Sequence, residues 1–351
     1  MDSRTGEDRK FTVAAVQIAP ALPFDKAATV ERICQTTAEA ADNGAELIVF
    51  PECFVPMYPN WSIDLQDEAG WAENLRDLTY NAIRIPGPET ERAGKVARER
   101  GVYLVFGANE VEERYDGLLY NSLVFIGPDG EVIGKHRKLF PSNREKVFHA
   151  RGDASGLNVY DTRIGRIGGL ICYEHLQPLL KYALIGQGEQ IHCASWPGWP
   201  EFPSGRSNRS VIDVASRAHA LEGQCFVISS SLYVPPDRAE AADLGNASWT
   251  FFGGSGIIGP DGEYVAGPLY DEEGVVYGEI DLGLIPLRKA AIDTTGRDSA
   301  PATIHLSVDR NSYSAIRWSG EDGRSFSNDE NGGHPGDAAP ARETRERRAE
   351  R

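Results

Sequence analysis

With 351 residues, 41% of them hydrophobic and 25% charged, the chain has the balance of a soluble globular protein, which argues against a disordered or membrane-embedded one. A formal net charge of −16 argues against a nucleic-acid-binding surface, because such a surface needs clustered Lys and Arg to replace phosphate counterions. The N-terminus, MDSRTGEDRKFTVAAVQIAP, lacks the apolar stretch of a signal peptide, and no run approaches the length that crosses a bilayer, so a cytoplasmic location without membrane contact is expected.

Residues 1–9 read as a flexible N-terminus and residues 10–310 as one domain, since α/β enzymes of this size often build a single large core. Residues 11–19 form a first strand. Residues 26–43 place Val30, Ile33, Cys34, Ala38 and Ala41 on one helical stripe, and Gly44 is positioned to end that helix in the left-handed conformation. Leu47, Ile48, Val49 and Phe50 make an unbroken apolar run, the pattern of a strand buried on both faces, and Glu52 stands at its end. A second helix and strand follow at 89–100 and 102–109, with Gly101 between them. This alternation is the signature of an α/β fold.

Residues 122–135, SLVFIGPDGEVIGK, and 254–267, GSGIIGPDGEYVAG, each read as a strand, a Pro-Asp-Gly turn and a second strand. The pair is compatible with two similar layers packed face to face, and equally with two unrelated hairpins sharing a common turn. From Ser319 onward almost no large apolar residue remains, so the extension at 311–351 is expected to be disordered from about 319.

Chemistry concentrates in three segments. In IVFPECFVPMYP, residues 48–59, a buried strand ends on a carboxylate whose proton affinity burial and neighbouring charge can tune; alone, the segment also reads as a Glu accepting backbone hydrogen bonds. In KHRKLFPSNREKVFHARGD, residues 135–153, Lys138 follows a hairpin strand and precedes Phe140-Pro141, where the strand should stop and the lysine can project into a cleft. The alternative is a basic edge of His136, Arg137 and Lys138 that discourages strand pairing. In RIGGLICYEHLQPLLKYALIGQG, residues 166–188, an apolar strand with two glycines runs into Cys172, and a helical pattern begins within a few residues. Such a turn exposes a nucleophile and aims backbone N–H groups at it. The alternative, a buried structural cysteine, fits Cys34, Cys193 and Cys225 better, while Cys53 reads as a loop or core residue beside the carboxylate. The five cysteines are widely spaced, so reduced thiols are expected, with neither a disulfide framework nor a CxxC metal site.

Together these segments resemble the nitrilase superfamily of carbon–nitrogen hydrolases over about residues 10–310. The resemblance implies an α-β-β-α sandwich with a Glu-Lys-Cys triad: Glu52 in FPECF as base, Lys138 in HRKLFPS as charge stabiliser and Cys172 in ICYEH as nucleophile. Glu145 in PSNREK matches a second glutamate that orients the lysine or the substrate. The continuation Tyr173-Glu174-His175-Leu176-Gln177-Pro178 and the stretch EQIHCASWPGW at 189–199 are similar to the nitrilase branch. Departures fall at Tyr173, where many members carry Trp, and at Cys53, where many carry Ala.

The resemblance further implies hydrolysis of an organic nitrile to the carboxylic acid and ammonia, through a thioimidate and a thioester on Cys172, without metal or organic cofactor. Tyr58, Trp61, Tyr173, His175 and Trp196, together with Trp199, are candidates to shape or support the substrate site. Aromatic residues there suit apolar or aryl nitriles, and serve equally as core or subunit contacts. A small nitrile and further copies of the chain, as a homo-oligomeric dimer or larger spiral, are the implied partners. Cyanide hydration or hydrolysis, amide hydrolysis, and a catalytically silent filament or binding protein are the competing functions.

Overall fold

Apolar runs become strands and amphipathic stripes become helices in the order the sequence pattern dictates. The structure, a computed structural model, describes residues 10–22, 25–59, 68–115, 117–198, 208–241 and 251–311. The expectations for residues 1–9, for the tail from 312 onward, and for Trp61 and Trp199 lie outside the described residues. Strand β1 (Lys10–Gln17) leads through helix α1 (Lys26–Asp42) to β2 (Ala45–Val49), then α2 (Glu68–Asn81), α3 (Pro88–Arg100), β3 (Tyr103–Val111) and the hairpin β4 (Leu119–Ile126) and β5 (Val132–Arg137). The second half runs β6 (Tyr160–Thr162), β7 (Gly165–Ile171), α4 (Pro178–Ile185), β8 (Ile191–Trp196), α5 (Asn208–Gly223), β9 (Phe226–Ser231), α6 (Pro236–Ala241) and the hairpin β10 (Gly253–Ile258) and β11 (Tyr264–Tyr270). It closes with β12 (Gly274–Asp281) and α7 (Leu284–Ala291). Asp25 caps α1 by accepting from the Ala28 N–H, and Gly44 follows the helix at φ 88° as its sequence position requires.

The strands form two six-stranded sheets, ordered β12-β1-β2-β3-β4-β5 and β11-β10-β9-β8-β7-β6. In each, three neighbouring strands run parallel and antiparallel partners flank them, so β1, β2 and β3 correspond to β7, β8 and β9. The two Pro-Asp-Gly hairpins therefore occupy equivalent places, each following the third parallel strand of its own sheet. Their turns are bonded alike: Gly130 N–H donates to Gly127 O and Gly262 N–H to Gly259 O, both at 2.9 Å. Two similar layers packed face to face is the outcome, with β1 over β9 and β10, β3 over β8 and β4 over β7.

Period-2 alternation decides which residues face which layer. Val13, Ala15, Leu47, Val49, Val105 and Phe125 pack between the sheets against Ile167, Ile191 and Phe226. Ala14, Val16, Ile48, Phe50, Leu104 and Phe106 point the other way, onto Val30 and Ile33 of α1 and Ala93 and Ala97 of α3. On the opposite outer face, α4 and α5 cover the second sheet. The result is an α-β-β-α sandwich, in which each fully buried aliphatic or aromatic side chain contributes roughly 1.5–3 kcal/mol.

The ends of the parallel strands are tied across the two sheets. Ser195 Oγ donates to Phe50 O at 3.4 Å, Ser230 Oγ to Val16 O at 2.7 Å, and the Ser255 N–H to Gln17 Oε1 at 2.9 Å. The Glu52 N–H reaches Trp196 O at 3.3 Å. The turn that carries Glu52 also lies directly on β3: Gly107 N–H donates to Pro51 O at 3.1 Å and Val55 N–H to Gly107 O at 3.2 Å. A Cβ at Gly107 would fall 2.5 Å from Cys53 N and from Pro51 O, both backbone atoms. Gly107→Ala is expected to cost about 1–3 kcal/mol of unfolding free energy through overpacking, measured by urea denaturation; a loss under about 0.5 kcal/mol would show that the turn moves aside freely.

Candidate active site

The carboxylate end of the site is built by the loop after β2. Glu52 is fully buried, and Cys53 behind it turns the chain at φ 47°. Asn109 of β3 secures the remainder of this loop, its Nδ2 donating to Val55 O at 3.1 Å and to Met57 O at 3.0 Å. A non-glycine residue held in the left-handed region costs on the order of 1 kcal/mol or more, and the bonds on either side of Cys53 maintain it.

The basic run at 135–138 is sorted by strand alternation. Lys135 and Arg137 point to one face and meet the buried Glu110, at 2.6 and 2.5 Å. His136 and Lys138 point to the other and are almost fully buried. Only part of the run acts as a basic edge, and Lys138 is not in it. Lys138 Nζ donates to Glu52 Oε1 at 2.7 Å and to Glu145 Oε2 at 2.8 Å. Glu145 lies in a 3-10 turn, Asn143–Val147, and the Ser142 N–H donates to its Oε2. Asn121 of β4 completes the cluster, its amide donating to Glu52 Oε1 at 2.6 Å and Glu145 Oε1 at 2.8 Å. Glu52 Oε2 has no hydrogen-bond partner among the described residues.

Cys172 arrives from the second sheet. Strand β7 stops at Ile171, and Cys172 begins a 3-10 turn, Cys172–Leu176, at φ 52°; the α-helix that the sequence places close behind starts only at Pro178. The Tyr173 N–H donates to the Cys172 sulfur. Glu174 locks this turn to the lysine segment: its carboxylate accepts from the Ile171 N–H at 3.0 Å, from His136 Nε2 at 2.8 Å and from the Leu139 N–H at 2.8 Å. One buried carboxylate thus fixes the residues on both sides of Lys138 relative to the residue before Cys172.

The electrostatics follow from one ammonium facing two carboxylates. Burial pushes Glu52 up to about 7, with Lys138 opposing and the Glu145 charge adding to the rise. Burial alone would raise Glu145 too, but Lys138 and the neighbouring His149 outweigh it and bring it down to about 2. Burial works against charge on Lys138, yet Glu145, Glu52 and Cys172 hold it well above its ordinary range. Burial and the Glu52 charge raise the Cys172 thiol well above its usual value, against Lys138 and the Tyr173 N–H. The resting arrangement is therefore a protonated thiol beside a carboxylate poised to take its proton.

Of the candidate pocket residues, Tyr58 is buried and feels the Glu145, Glu52, Cys172 and Cys53 charges, which places it at the cluster. Tyr173 is partly buried and donates its hydroxyl to Asn208 Oδ1 at 2.9 Å. His175 and Trp196 stack at 4.6 Å beneath the Cys172 turn, each about 1% exposed. Asn121 and Glu174 are not singled out by the sequence. A polar residue inside the apolar strand LLYNSLVF is the available signal for Asn121, whereas nothing local marks Glu174 as a strut. Glu189, His219 and Cys225 have ligand-type atoms within 4.8 Å of one another, but both Glu189 oxygens are engaged by His192 and His219.

A family model described as carbon-nitrogen hydrolase matches residues 12–289. A nitrilase from Paraburkholderia phymatum is 37% identical over 306 residues, which cover 86% of this chain and 87% of that one. An aliphatic nitrilase from Rhodococcus rhodochrous is 38% identical over 309 residues, covering 86% and 83%. Among solved structures, Saccharomyces cerevisiae Nit3, a member of branch 10 of the nitrilase superfamily, superposes with a TM-score of 0.67 at 23% identity, covering 84% of this chain and 99% of that one. The structural likeness shows the common sandwich.

A pH dependence follows from the cluster. The rate of Cys172 alkylation by iodoacetamide should rise as pH increases through about 7, where Glu52 loses its proton. In Glu145→Gln the like charge that raises Glu52 is gone, so the acidic limb should move to lower pH by roughly one unit; a limb that stays put or moves upward would contradict the assignment.

Proposed function

The chain belongs to the carbon–nitrogen hydrolase family, and on that premise we propose that it is a nitrilase, hydrolysing an organic nitrile to the carboxylic acid and ammonia through covalent intermediates on Cys172. The observation that carries the reading is the buried cluster of Glu52, Lys138 and Glu145 facing the Cys172 thiol, with Glu52 near 7 and its Oε2 unengaged. A nitrile carbon is a weak electrophile, so the enzyme needs a strong nucleophile and a cation where negative charge develops on nitrogen.

Glu52 takes the Cys172 proton and the thiolate adds to the nitrile carbon. A C–S bond forms as one C≡N π bond breaks, the nitrogen takes up a proton, and a thioimidate results. Lys138 and the Tyr173 N–H stabilise the charge that builds there. Water adds to the thioimidate carbon, the C–N bond breaks, and ammonia leaves behind a thioester. A second water, deprotonated by Glu52, cleaves the C–S bond and releases the carboxylic acid with the Cys172 thiol restored. Glu145 holds Lys138 charged and in place throughout. No step calls on a metal or organic cofactor.

Tyr58 and Tyr173 are the described aromatic residues that the proposal assigns to the substrate side. A homo-oligomer belongs to the same proposal. Val214 and Leu221, seven residues apart on one stripe of α5, are 62% and 58% exposed, and Leu179 of α4 is 69% exposed. Such apolar residues on one outer layer support a contact between copies. Among the described residues no helix is long and apolar enough to cross a membrane, and a cytoplasmic setting is proposed.

Cys172→Ala should reduce ammonia release from nitriles by a factor on the order of a thousand or more, while the parent enzyme shows an acyl or imidoyl adduct on the peptide containing Cys172 by mass spectrometry. Ammonia from amides with none from nitriles or cyanide would favour the amidase alternative instead. In sedimentation velocity, Val214→Glu with Leu221→Glu should shift the protein toward monomer; an unchanged sedimentation coefficient would remove that face from the assembly.

A further inference from the structure

Beneath the Cys172 turn runs a chain of four buried titratable side chains that the proposed mechanism does not use. His175 Nδ1 lies 2.7 Å from the Cys172 carbonyl oxygen, and His175 Nε2 lies 2.9 Å from His192 Nε2. His192 Nδ1 is 2.8 Å from Glu189 Oε1, and His219 Nε2 is 2.9 Å from Glu189 Oε2. None of the four residues exceeds 4% exposure. The site is shaped for them: His192 stacks on His219 at 3.6 Å, and a Cβ on Gly168 of β7 would sit 2.2 Å from Glu189 Oε1.

Counting protons along this chain leaves little freedom. A carbonyl oxygen only accepts, so His175 Nδ1 carries a proton. An ionised carboxylate only accepts, so His192 Nδ1 and His219 Nε2 each carry one. Two bare nitrogens cannot face each other at hydrogen-bond distance, so one further proton lies between His175 Nε2 and His192 Nε2. Three protons on the four nitrogens of two rings are one more than two neutral imidazoles hold. The pair is a monocation and Glu189 is its counter-ion. We propose that His175 and His192 share an imidazolium proton balanced by Glu189, and that this buried relay positions the turn that carries Cys172.

The low proton affinity of Glu189 supplies the counter-ion that the count requires. Burial would raise Glu189, but His192 and His219 bring it to about 2 and keep it ionised. Burial and then the His192 charge lower His175 well below its ordinary value. His219 is lowered to about 4, chiefly by burial, and stays neutral with Nδ1 unpartnered among the described residues. The face of Trp196 covers His175 at 4.6 Å and lies against the charged pair. Lys181, whose charge also reaches His175 and His219, is engaged by Glu222.

The consequence for Cys172 passes through one peptide plane. The Cys172 carbonyl and the Tyr173 N–H belong to the same rigid unit. Holding the carbonyl on His175 Nδ1 therefore aims the N–H at the Cys172 sulfur, where it donates. The relay acts as a positioning device for the donor that faces the thiolate. This role rests on the reading of Cys172 as the nucleophile.

His175→Phe tests it, because the ring keeps its stack on Trp196 but carries no Nδ1–H for the Cys172 carbonyl. Without that donor the carbonyl is no longer held, and the Tyr173 N–H loses its aim at the sulfur. The alkylation rate of Cys172 by iodoacetamide, followed by peptide mass spectrometry in the full-length protein, is expected to fall at least about tenfold, the rate equivalent of one lost hydrogen bond to a charged group. Nitrile turnover should fall in kcat at nearly constant KM. In wild-type protein labelled with 15N-histidine, NMR should show three protonated nitrogens on the His175–His192 pair, a signature that needs no variant to fold. A folded His175→Phe protein alkylated within about twofold of the parent rate, or two protonated nitrogens in the wild type, would overturn the relay. Because alkylation needs no nitrile, a parent enzyme that reacts at Cys172 yet turns over no nitrile would sink the nitrilase reading and leave the relay standing.

Discussion

A single buried ammonium serving two buried carboxylates is the constraint on which the rest of the structure depends. Taking three charges out of water costs several kcal/mol per ion unless every oxygen and proton finds a partner. Lys138 and Asn121 each bridge Glu52 and Glu145, and the Ser142 N–H adds a third donor on the Glu145 side. The distribution is uneven. Glu145 collects the donors and stays ionised, whereas Glu52 keeps one oxygen without a partner and is raised toward neutrality. Two chemically identical side chains thus acquire opposite proton affinities.

That division is useful only if the thiol meets Glu52 from the other sheet in a fixed pose. The Glu52 N–H on Trp196 O and Ser195 Oγ on Phe50 O join the strand ends across the layers. Glu174 spans the remaining gap, holding Leu139 and His136 on one side of the site and Ile171 on the other. The His175 to Glu189 chain supports the same turn from behind. Cys172 is positioned by buried polar contacts on both sides, while the apolar layer between the sheets sets the distance.

Much of this is legible in the residues. Glu52 and Cys172 each follow the end of an apolar strand, and such positions announce themselves by the break in periodicity; Lys138 ends a basic run that residue type alone leaves open as a solvated edge, while Glu145 comes from the resemblance, and the structure puts it on the lysine. The Pro-Asp-Gly repeat points to two similar layers, although choosing between that and coincidence requires the strand order. Partnerships across long stretches of chain cannot be read in this way. Asn121 reaches back to Glu52 over 69 positions, and Glu174 reaches His136 over 38, distances at which no local pattern survives. His175 and Trp196 stand out in the sequence with a site role and a core role both open, and the structure stacks them together beneath the Cys172 turn; residue type reveals what a side chain can do and not which side of a turn it occupies. Trp61, Trp199 and the tail stand as sequence expectations.

The alternation of β5 has a consequence for assembly of the fold itself. Lys135 and Arg137 end on Glu110 while His136 and Lys138 end on Glu174 and Glu52. A slip of β5 by one residue against β4 exchanges its faces, sending Arg137 toward Glu52 and Glu145 and leaving Glu110 opposite a histidine and Lys138 in the wrong layer. Hydrophobic residues punish such a slip gradually; two oppositely placed, desolvated charge networks punish it at once. The strand is keyed like a lock with two wards, and the same residues that equip the site for chemistry reject the misregistered sheet before any chemistry is possible.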